Sequence, residues 1–440
     1  MELDIEDLND DGRGRGHLGN KAVLVAQSLP GDRVVVHPDF ATRGTVQGRV
    51  ARLLKPSPLR VQHPCAHEFH CTGCTLLAAQ RNFELEWKQE RLRGIVERID
   101  PALTEILRPL LAPTLPFHYR HYAKQVFAFV GGRAVLGSYV AGTHEVTDNS
   151  ACPVHVQALQ RSLDGVVDLT RRLRLRVHDG AGREGLRYAI ARHSRTEARS
   201  LLVLVTSAAD PVEAIHLAEH ALAADANLAG VRVLQQVGDS NTLLAGTSAW
   251  ASGEETLRED LLGESHAISA MDFFQVNPPA AEAMFACALE VAGSGAIALD
   301  LYAGVGAMAL PLARRFAKVH AVESHAGAAA RLAARTTEPG LAGISVHAAT
   351  VEATLPELLQ SCAGGVAVCD PPRKGLQAEV SALLAASALS RIVLLACDPS
   401  SLLRDLPPLI AGGFKVRCVQ GVDQFPRTGH VEAVVGLERA

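Results

Sequence analysis

The sequence predicts an α/β protein with appended β-rich parts: a doubly wound parallel sheet at the C-terminal end, behind a small barrel and a central β-rich segment. Three observations predict it. From about residue 270, apolar strand-like runs (AIALDLY, KVHAVE, ISVHAA, VAVCDPP, RIVLLACDP) alternate with Ala/Leu-rich stretches such as AGAAARLAARTT. Strands without polar alternation, each followed by a helix, indicate a parallel sheet covered on both faces. Residues 1–55 carry β-branched runs, KAVLVAQSL and DRVVVH, split by the turn signal Pro30-Gly31, which suits an OB-type barrel. The length, 440 residues, allows two or three domains at about 150 residues each.

The elements follow in order. Residues 56–80 hold three cysteines among prolines and glycines with little periodicity, so a metal is the natural means of ordering this loop. RNFELEWKQERLRGIVERI (81–99) reads as an amphipathic helix with Phe83, Trp87, Leu92, Ile95, Val96 and Ile99 on one face. Residues 117–260 alternate strand-like runs (AKQVFAFV, LLVLVTS, GVRVLQQV) with a helix near 212–225. The longest apolar stretch, Val291 to Ala313, is broken by Asp300, Pro311 and four glycines and follows a strand–turn–helix pattern, so it is not a membrane span. The acidic N-terminus, MELDIEDLNDD, lacks an apolar core, so no secretory signal is expected and the compartment is cytoplasmic and reducing. There, nine cysteines serve as metal ligands or nucleophiles rather than disulfides.

Hydrophobic residues at 48% and charged residues at 20% exclude a largely disordered chain. Lys and Arg number 43 against 47 Asp and Glu, so the whole-protein basic field usual for nucleic-acid binders is missing. Local basic clusters remain at Arg43, Arg49, Arg52, Lys55 and Arg60, and at Arg171, Arg172, Arg174 and Arg176.

The chemistry concentrates near the C-terminus. Asp300 ends an apolar run and leads into Leu-Tyr-Ala-Gly-Val-Gly (301–306), and the next strand ends in Glu323. Gly304 and Gly306 permit a tight turn and close ligand approach, and Glu323 is placed to bond ribose hydroxyls. Two readings stay open: a dinucleotide fingerprint, hence a nicotinamide-dependent oxidoreductase, or the S-adenosylmethionine loop of class I methyltransferases. Asp370-Pro371-Pro372-Arg373 and Cys397-Asp398-Pro399 also follow strands. Ligands sit at the carboxyl ends of parallel strands, so Asp300, Glu323, Asp370 and Cys397 are expected at one crevice. Hydride transfer has no use for a cysteine there. Methylation at C5 of a pyrimidine does, because a thiolate adding at C6 makes C5 nucleophilic. A base must then remove the C5 proton. GHVEAVVGLE supplies one: alternation puts His430 and Glu432 on one strand face. Cys369 is a rival nucleophile that spacing does not exclude.

Taken together, DGRGRG…SLPGDRVVV, FFQVNP, LDLYAGVGAMALPLA, CDPPRKG, ACDPSSLLRDL and FPRTGHVEAVVGLER resemble successive blocks of the RNA uracil-5-methyltransferase family. The closest resemblance is to its ribosomal RNA branch that carries an iron–sulfur cluster. It implies a TRAM domain at 1–55, a central domain from 56–84 and 152–262, and a class I methyltransferase domain from 85–151 and 263–440. It makes Cys397 the nucleophile and Glu432 the base. Gln275, Tyr302, Gly304, Ala307, Glu323, Thr350 and Asp370 fall at the S-adenosylmethionine site. The family usually has Asn where Ala307 and Thr350 stand, and Cys-Asn-Pro where this chain has Cys397-Asp398-Pro399.

From spacing, Cys65, Cys71, Cys74 and Cys152 suit zinc or iron–sulfur, and His63, His67, His70 and His155 keep a mixed zinc site open. The resemblance implies a [4Fe–4S] cluster on the four cysteines. It also implies an RNA partner, large-subunit ribosomal RNA before transfer RNA, with the target uracil out of its stack and Phe40, Phe69 and Phe425 as stacking candidates. A monomer without membrane contact is expected. A non-enzymatic RNA-binding or ribosome-assembly factor is a further alternative.

Overall fold

The computed structural model describes residues 1–440 except 43, 141, 180–183 and 237–245; Arg43 of the first basic cluster therefore lies outside the described residues. The N-terminal unit is one sheet built from β1 (Glu2–Asp4), β2 (Asp7–Leu8), β3 (Gly14–Leu18), β4 (Lys21–Ala26), β5 (Arg33–Ala41) and β6 (Thr45–Lys55), in the order β1-β5-β6-β4-β3-β2. The alternating valines of β4 and β5 meet Leu3, Ile5 and Val50 in its core, as a sheet with one buried face requires. The basic residues here are partly committed: Arg49 pairs with Asp39 and Glu145, and Arg60 with Asp32 and Glu68.

Helix α1 (Arg81–Ile99) forms where expected, with Leu92, Ile95 and Val96 of the expected face buried and the rest of the stripe shifted. It buries Glu84, Lys88, Leu92, Ile95 and Val96, while Phe83, Trp87 and Ile99 are only half-buried. The helical period runs through two charged residues because they meet ionic partners in the C-terminal domain. Strand β7 (Leu107–Leu111) follows.

The central sheet contains β8 (Tyr122–Val130), β9 (Arg133–Tyr139), β10 (Val146–Asp148), β11 (Leu186–Ser194), β12 (Arg199–Thr206), β13 (Leu228–Gln235) and β14 (Thr247–Gly253), ordered β10-β9-β8-β11-β12-β13-β14. Two helices, α2 (Gln157–Arg172) and α3 (Val212–Ala224), cover one face. The strands at 122–148 were expected with the methyltransferase domain; they hydrogen-bond instead to β11, with Val126 opposite Tyr188. The cause is that β8 is apolar on both sides. Ala123 and Phe127 pack under the helices, while Tyr122 and Val126 pack on the opposite face. A strand of that kind belongs inside a sheet.

After the hairpin β15 (Leu257–Leu261) and β16 (Glu264–Ile268) comes the C-terminal domain. Its elements are α4 (Pro278–Ala292), β17 (Gly295–Leu301), α5 (Ala309–Ala313), β18 (Phe316–Val322), α6 (Ala326–Arg335), β19 (Ile344–His347), α7 (Val351–Leu359), β20 (Val366–Cys369), α8 (Ala378–Ala386), β21 (Arg391–Ala396), α9 (Leu402–Ala411), β22 (Phe414–Val422) and β23 (Glu432–Arg439). The sheet order is β19-β18-β17-β20-β21-β23-β22-β7. Strands β17 to β21 pair parallel, and β23 inserts antiparallel beside β21. Apolar layers cover both faces, the doubly wound arrangement that the unalternated strands predict. Strand order reverses between β17 and β20, and ligands bind at such a switch point. Among the described residues, no helix is long and apolar enough to cross a membrane.

Candidate active site

The switch point gathers acids. Asp300 lies in β17 and Asp370 directly follows β20, so the two flank the crevice. Asp300 is 2% exposed, and its Oδ2 has no hydrogen-bond partner among the described residues. Burial, and secondarily the Asp370 charge, push its carboxyl up to about 8. Burial alone pushes Asp370 up to about 7. An unpartnered oxygen buried at a switch point is costly unless a ligand satisfies it.

The next strand brings Cys397 and Glu432 together. Ala396 at the end of β21 pairs with Ala433 in β23, so Cys397 and Glu432 come next in line across the two strands. The antiparallel insertion of β23 produces this juxtaposition. Burial and then the Asp370 charge raise Glu432 to about 8, against the lowering effect of Arg373. Burial and then the Glu432 charge raise Cys397 to about 11. The two cysteines differ in position: Cys369 is fully buried in the core, whereas Cys397 is partly accessible. Asp398 turns aside from Cys397, accepting the Ser400 N–H at 3.0 Å and pairing with Arg91 at 3.5 Å. It is the least of the acids acting on the thiol. Arg373, which the Asp370-Pro371-Pro372-Arg373 motif carries, is a cation that offsets charge on both Cys397 and Glu432.

The buried Glu432 carboxyl predicts a stability signature. A carboxyl whose pKa is raised on folding stabilises below its unfolded value, and that contribution is lost as pH rises through its folded value, about 8. Glu432→Gln is expected to match the parent near pH 5 and to exceed it by roughly 2–4 kcal/mol at pH 9, measured by chemical denaturation at the two pH values.

The glycine loop is built by its neighbours. Tyr302 is held at φ +72° and Gly306 at +94°, and a Cβ on Gly306 would stand 2.4 Å from Leu332 Cδ1, so only glycine fits there. Glu323 accepts the Gly304 N–H at 2.8 Å and the His325 N–H at 2.5 Å, which fixes the loop against the adjacent strand end. Ala307 packs half-buried on the core. Thr350 caps α7, its Oγ1 accepting the Ala353 N–H at 3.4 Å. Gln275 stands before α4, where its Oε1 accepts from Gln424 Nε2 at 3.0 Å.

The four cysteines lie at a second centre. Cys65, Cys71, Cys74 and Cys152 are free thiols, each partly buried. The other three all act electrostatically on Cys74, so the loop 65–74 and Cys152 converge. Backbone N–H groups of His67 and Gly73 donate to Cys65 Sγ (3.4 Å) and Cys71 Sγ (3.5 Å), and those of Val154 and His155 to Cys152. The four histidines are otherwise engaged. His63 meets Glu68, His67 the Ser150 carbonyl, His70 the Glu68 carbonyl and His155 Gln160. Among the described residues, no three potential ligands are close enough to hold a single metal ion.

The stacking candidates diverge. Phe69 lies under Arg60, its ring centroid 5.4 Å from the guanidinium; Phe40 packs over Gly142; Phe425 stands beside His430.

Comparison with known proteins matches residues 1–51 to the TRAM domain and residues 358–440 to the tRNA (Uracil-5-)-methyltransferase family. An uncharacterized RNA methyltransferase of Halalkalibacterium halodurans is 30% identical over 450 aligned residues, covering 100% of this chain and 96% of that protein. The chain belongs to the RNA (uracil-5-)-methyltransferase family. Another such relative, an uncharacterized RNA methyltransferase of Gloeobacter violaceus, is also 30% identical over 100% of this chain and 96% of its own length. The solved tRNA (uracil-54, C5)-methyltransferase of Pyrococcus abyssi, in complex with S-adenosyl-L-homocysteine, shares the fold with a TM-score of 0.77. It is 24% identical, over 99% of this chain and 100% of that one. The family match at 358–440 contains Asp370, Cys397 and Glu432.

Proposed function

We propose that this RNA (uracil-5-)-methyltransferase transfers a methyl group from S-adenosylmethionine to C5 of a specific uridine, through a covalent bond to Cys397. The observation that carries the reading is the accessible thiol of Cys397 one register step from the buried carboxyl of Glu432. The Cys397 thiolate adds to C6 of the uracil, and the C5=C6 electrons move toward the C4 carbonyl oxygen. The cofactor supplies an electrophilic methyl group, which C5 takes as the carbon–sulfonium bond breaks. Glu432 then accepts the C5 proton, the C5=C6 bond reforms, and the S–C6 bond breaks to return the thiolate. Arg373 offsets the negative charge that develops around both groups.

Asp300, with its unpartnered oxygen, together with Tyr302, Gly304, Ala307, Glu323, Thr350, Asp370 and Gln275, forms the cofactor site. Glu323 keeps lone pairs for ribose hydroxyls after accepting two N–H donors. Ala307 offers only its backbone. A nicotinamide oxidoreductase would leave the Cys397–Glu432 pair without a task, and an assembly factor would not need it.

The four cysteines would hold a [4Fe–4S] cluster, which supplies a rigid clip between the loop 65–74 and Cys152. The thiols of loop 65–74 and Cys152 act on one another without yet lying at ligand distance of a single ion; N–H donors aimed at three of the sulfurs and histidines already engaged support iron–sulfur over mixed zinc. Cys71→Ser is expected to remove the visible chromophore and weaken RNA binding. Iron and sulfide analysis with an RNA titration measures both, and unchanged RNA affinity on loss of the chromophore would refute the structural role.

The substrate is RNA whose target uracil leaves the stack, in a single-stranded loop, large-subunit ribosomal RNA before transfer RNA. The test is labelled methyl transfer to each unmodified RNA, with nucleoside analysis. Label as 5-methyluridine in ribosomal RNA supports the full reading. Label in transfer RNA keeps the chemistry and overturns the substrate, and label in neither, with both ligands bound, overturns the enzyme.

A further inference from the structure

The loop between β22 and β23, residues 423–431, leads directly into Glu432, and the barrel, the cysteine loop, the segment before β8 and α1 all reach it. From the barrel side, Gly429 approaches so closely that a Cβ there would lie 2.3 Å from the Asp11 carbonyl carbon and oxygen. From the cysteine loop, Leu76 N–H donates to the Arg427 carbonyl at 3.0 Å, and Thr75 Oγ1 accepts the Gly429 N–H at 3.1 Å. Thr75 directly follows Cys74. From the Cys152 side, the Tyr119 hydroxyl donates to the Pro426 carbonyl at 2.9 Å, while the Tyr119 N–H is tied to Val154 at 3.2 Å. From α1, Glu84 accepts the Arg427 N–H at 2.6 Å.

Arg427 itself is strained and locked. It sits at φ +67°, a conformation unfavourable for a non-glycine residue that persists only where surroundings impose it. Its guanidinium donates to the Ala79 carbonyl at 2.5 Å, and the residue is 5% exposed. Thus both arms of the four-cysteine site grip one short loop whose next strand residue is Glu432.

We propose that Arg427, Thr75 and Tyr119 are positioning residues for Glu432: they hold loop 423–431 so that the carboxylate meets the C5 proton, which couples the four-cysteine site to the last step of the reaction. The proposal rests on Glu432 being the base. Loosening the loop then slows removal of the C5 proton, and with it release of Cys397, while thiol addition and methyl transfer continue.

The readout is the covalent RNA–protein adduct, resolved on denaturing gels after single-turnover reaction with methyl-labelled cofactor and unmodified ribosomal and transfer RNA. Arg427→Ala is expected to slow adduct resolution by about 10²-fold, the scale of an ångström-sized misplacement. Tyr119→Phe and Thr75→Val, near-isosteric changes that each remove a contact to the loop, slow it by roughly 3–10-fold. Cofactor and RNA affinities stay unchanged in the two mild variants. Glu432→Gln runs beside them: adduct accumulating there but in none of the positioning variants overturns this proposal and leaves the base intact. No methylated adduct in Glu432→Gln overturns the base assignment itself. Arg427→Ala that loses fold, with Tyr119→Phe and Thr75→Val resolving at the parent rate, shows the contacts to be structural and also overturns it.

Discussion

Cys397→Ala is expected to lower methyl transfer by about 10⁴-fold or more, the scale of removing a covalent nucleophile, with S-adenosylmethionine affinity unchanged. Cys369→Ala is the informative comparison, because both cysteines stand at strand ends, and burial and the register with Glu432 separate them. Loss of the Cys369 thiol costs stability, about 1–2 kcal/mol from the small void, and leaves the rate of folded enzyme near the parent. The pH dependence has a definite sign. Both Cys397 and Glu432 act deprotonated, and the buried site raises them to about 11 and about 8. The acid limb of kcat/KM therefore extends to at least pH 8, well above where an ordinary carboxylate would place it. A rate already on its plateau at pH 6 would contradict these environments.

Lys88→Met is expected to destabilise by roughly 3–5 kcal/mol, the cost of breaking a fully buried ion pair from one side. Lys88 is 0% exposed and donates to Glu84 Oε1 at 3.0 Å, Asp423 Oδ1 at 2.6 Å and the Phe425 carbonyl at 3.0 Å. Arg81 bridges the same two carboxylates. Without the ammonium, Asp423 keeps only Arg81. Adding Asp423→Asn should recover a substantial part of the loss, because what costs is the stranded charge. A denaturation cycle over the two single variants and the double measures this coupling. A double variant no more stable than Lys88→Met would show that the side-chain packing, not the charge, matters.

This network also marks the limit of what the sequence disclosed. The parallel sheet was legible because β17, β18, β20 and β21 are apolar on both faces. The pairing of Cys397 with Glu432 was legible only as chemistry, a nucleophile and a base that one reaction needs. Spacing does not separate Cys397 from Cys369; the family resemblance does, and the burial of Cys369 agrees with it. Helix α1 misled for a physical reason. Its period was read through Phe83 and Trp87, whereas the buried stripe runs Glu84, Lys88, Leu92, Ile95, Val96. A Glu and Lys four apart look like a solvated surface pair, and partners more than three hundred residues away, Asp423 and Phe425 for Lys88 and Arg427 for Glu84, make them interior. The family resemblance places the strands at 122–148 with the methyltransferase domain, while their hydrogen bonds go to β11. Arg427 carried one hint, standing beside Pro426 in a loop that ends at the base.

The most direct test of covalent catalysis at Cys397 is the intact mass of Glu432→Gln after reaction with S-adenosylmethionine and unmodified RNA, followed by nuclease trimming and peptide mapping. A 5-methylated uridine adduct attached to the peptide containing Cys397, lost in the Cys397→Ala, Glu432→Gln double variant, is the predicted result. Methylated RNA released by Glu432→Gln with no adduct, or an adduct on another cysteine, would contradict it.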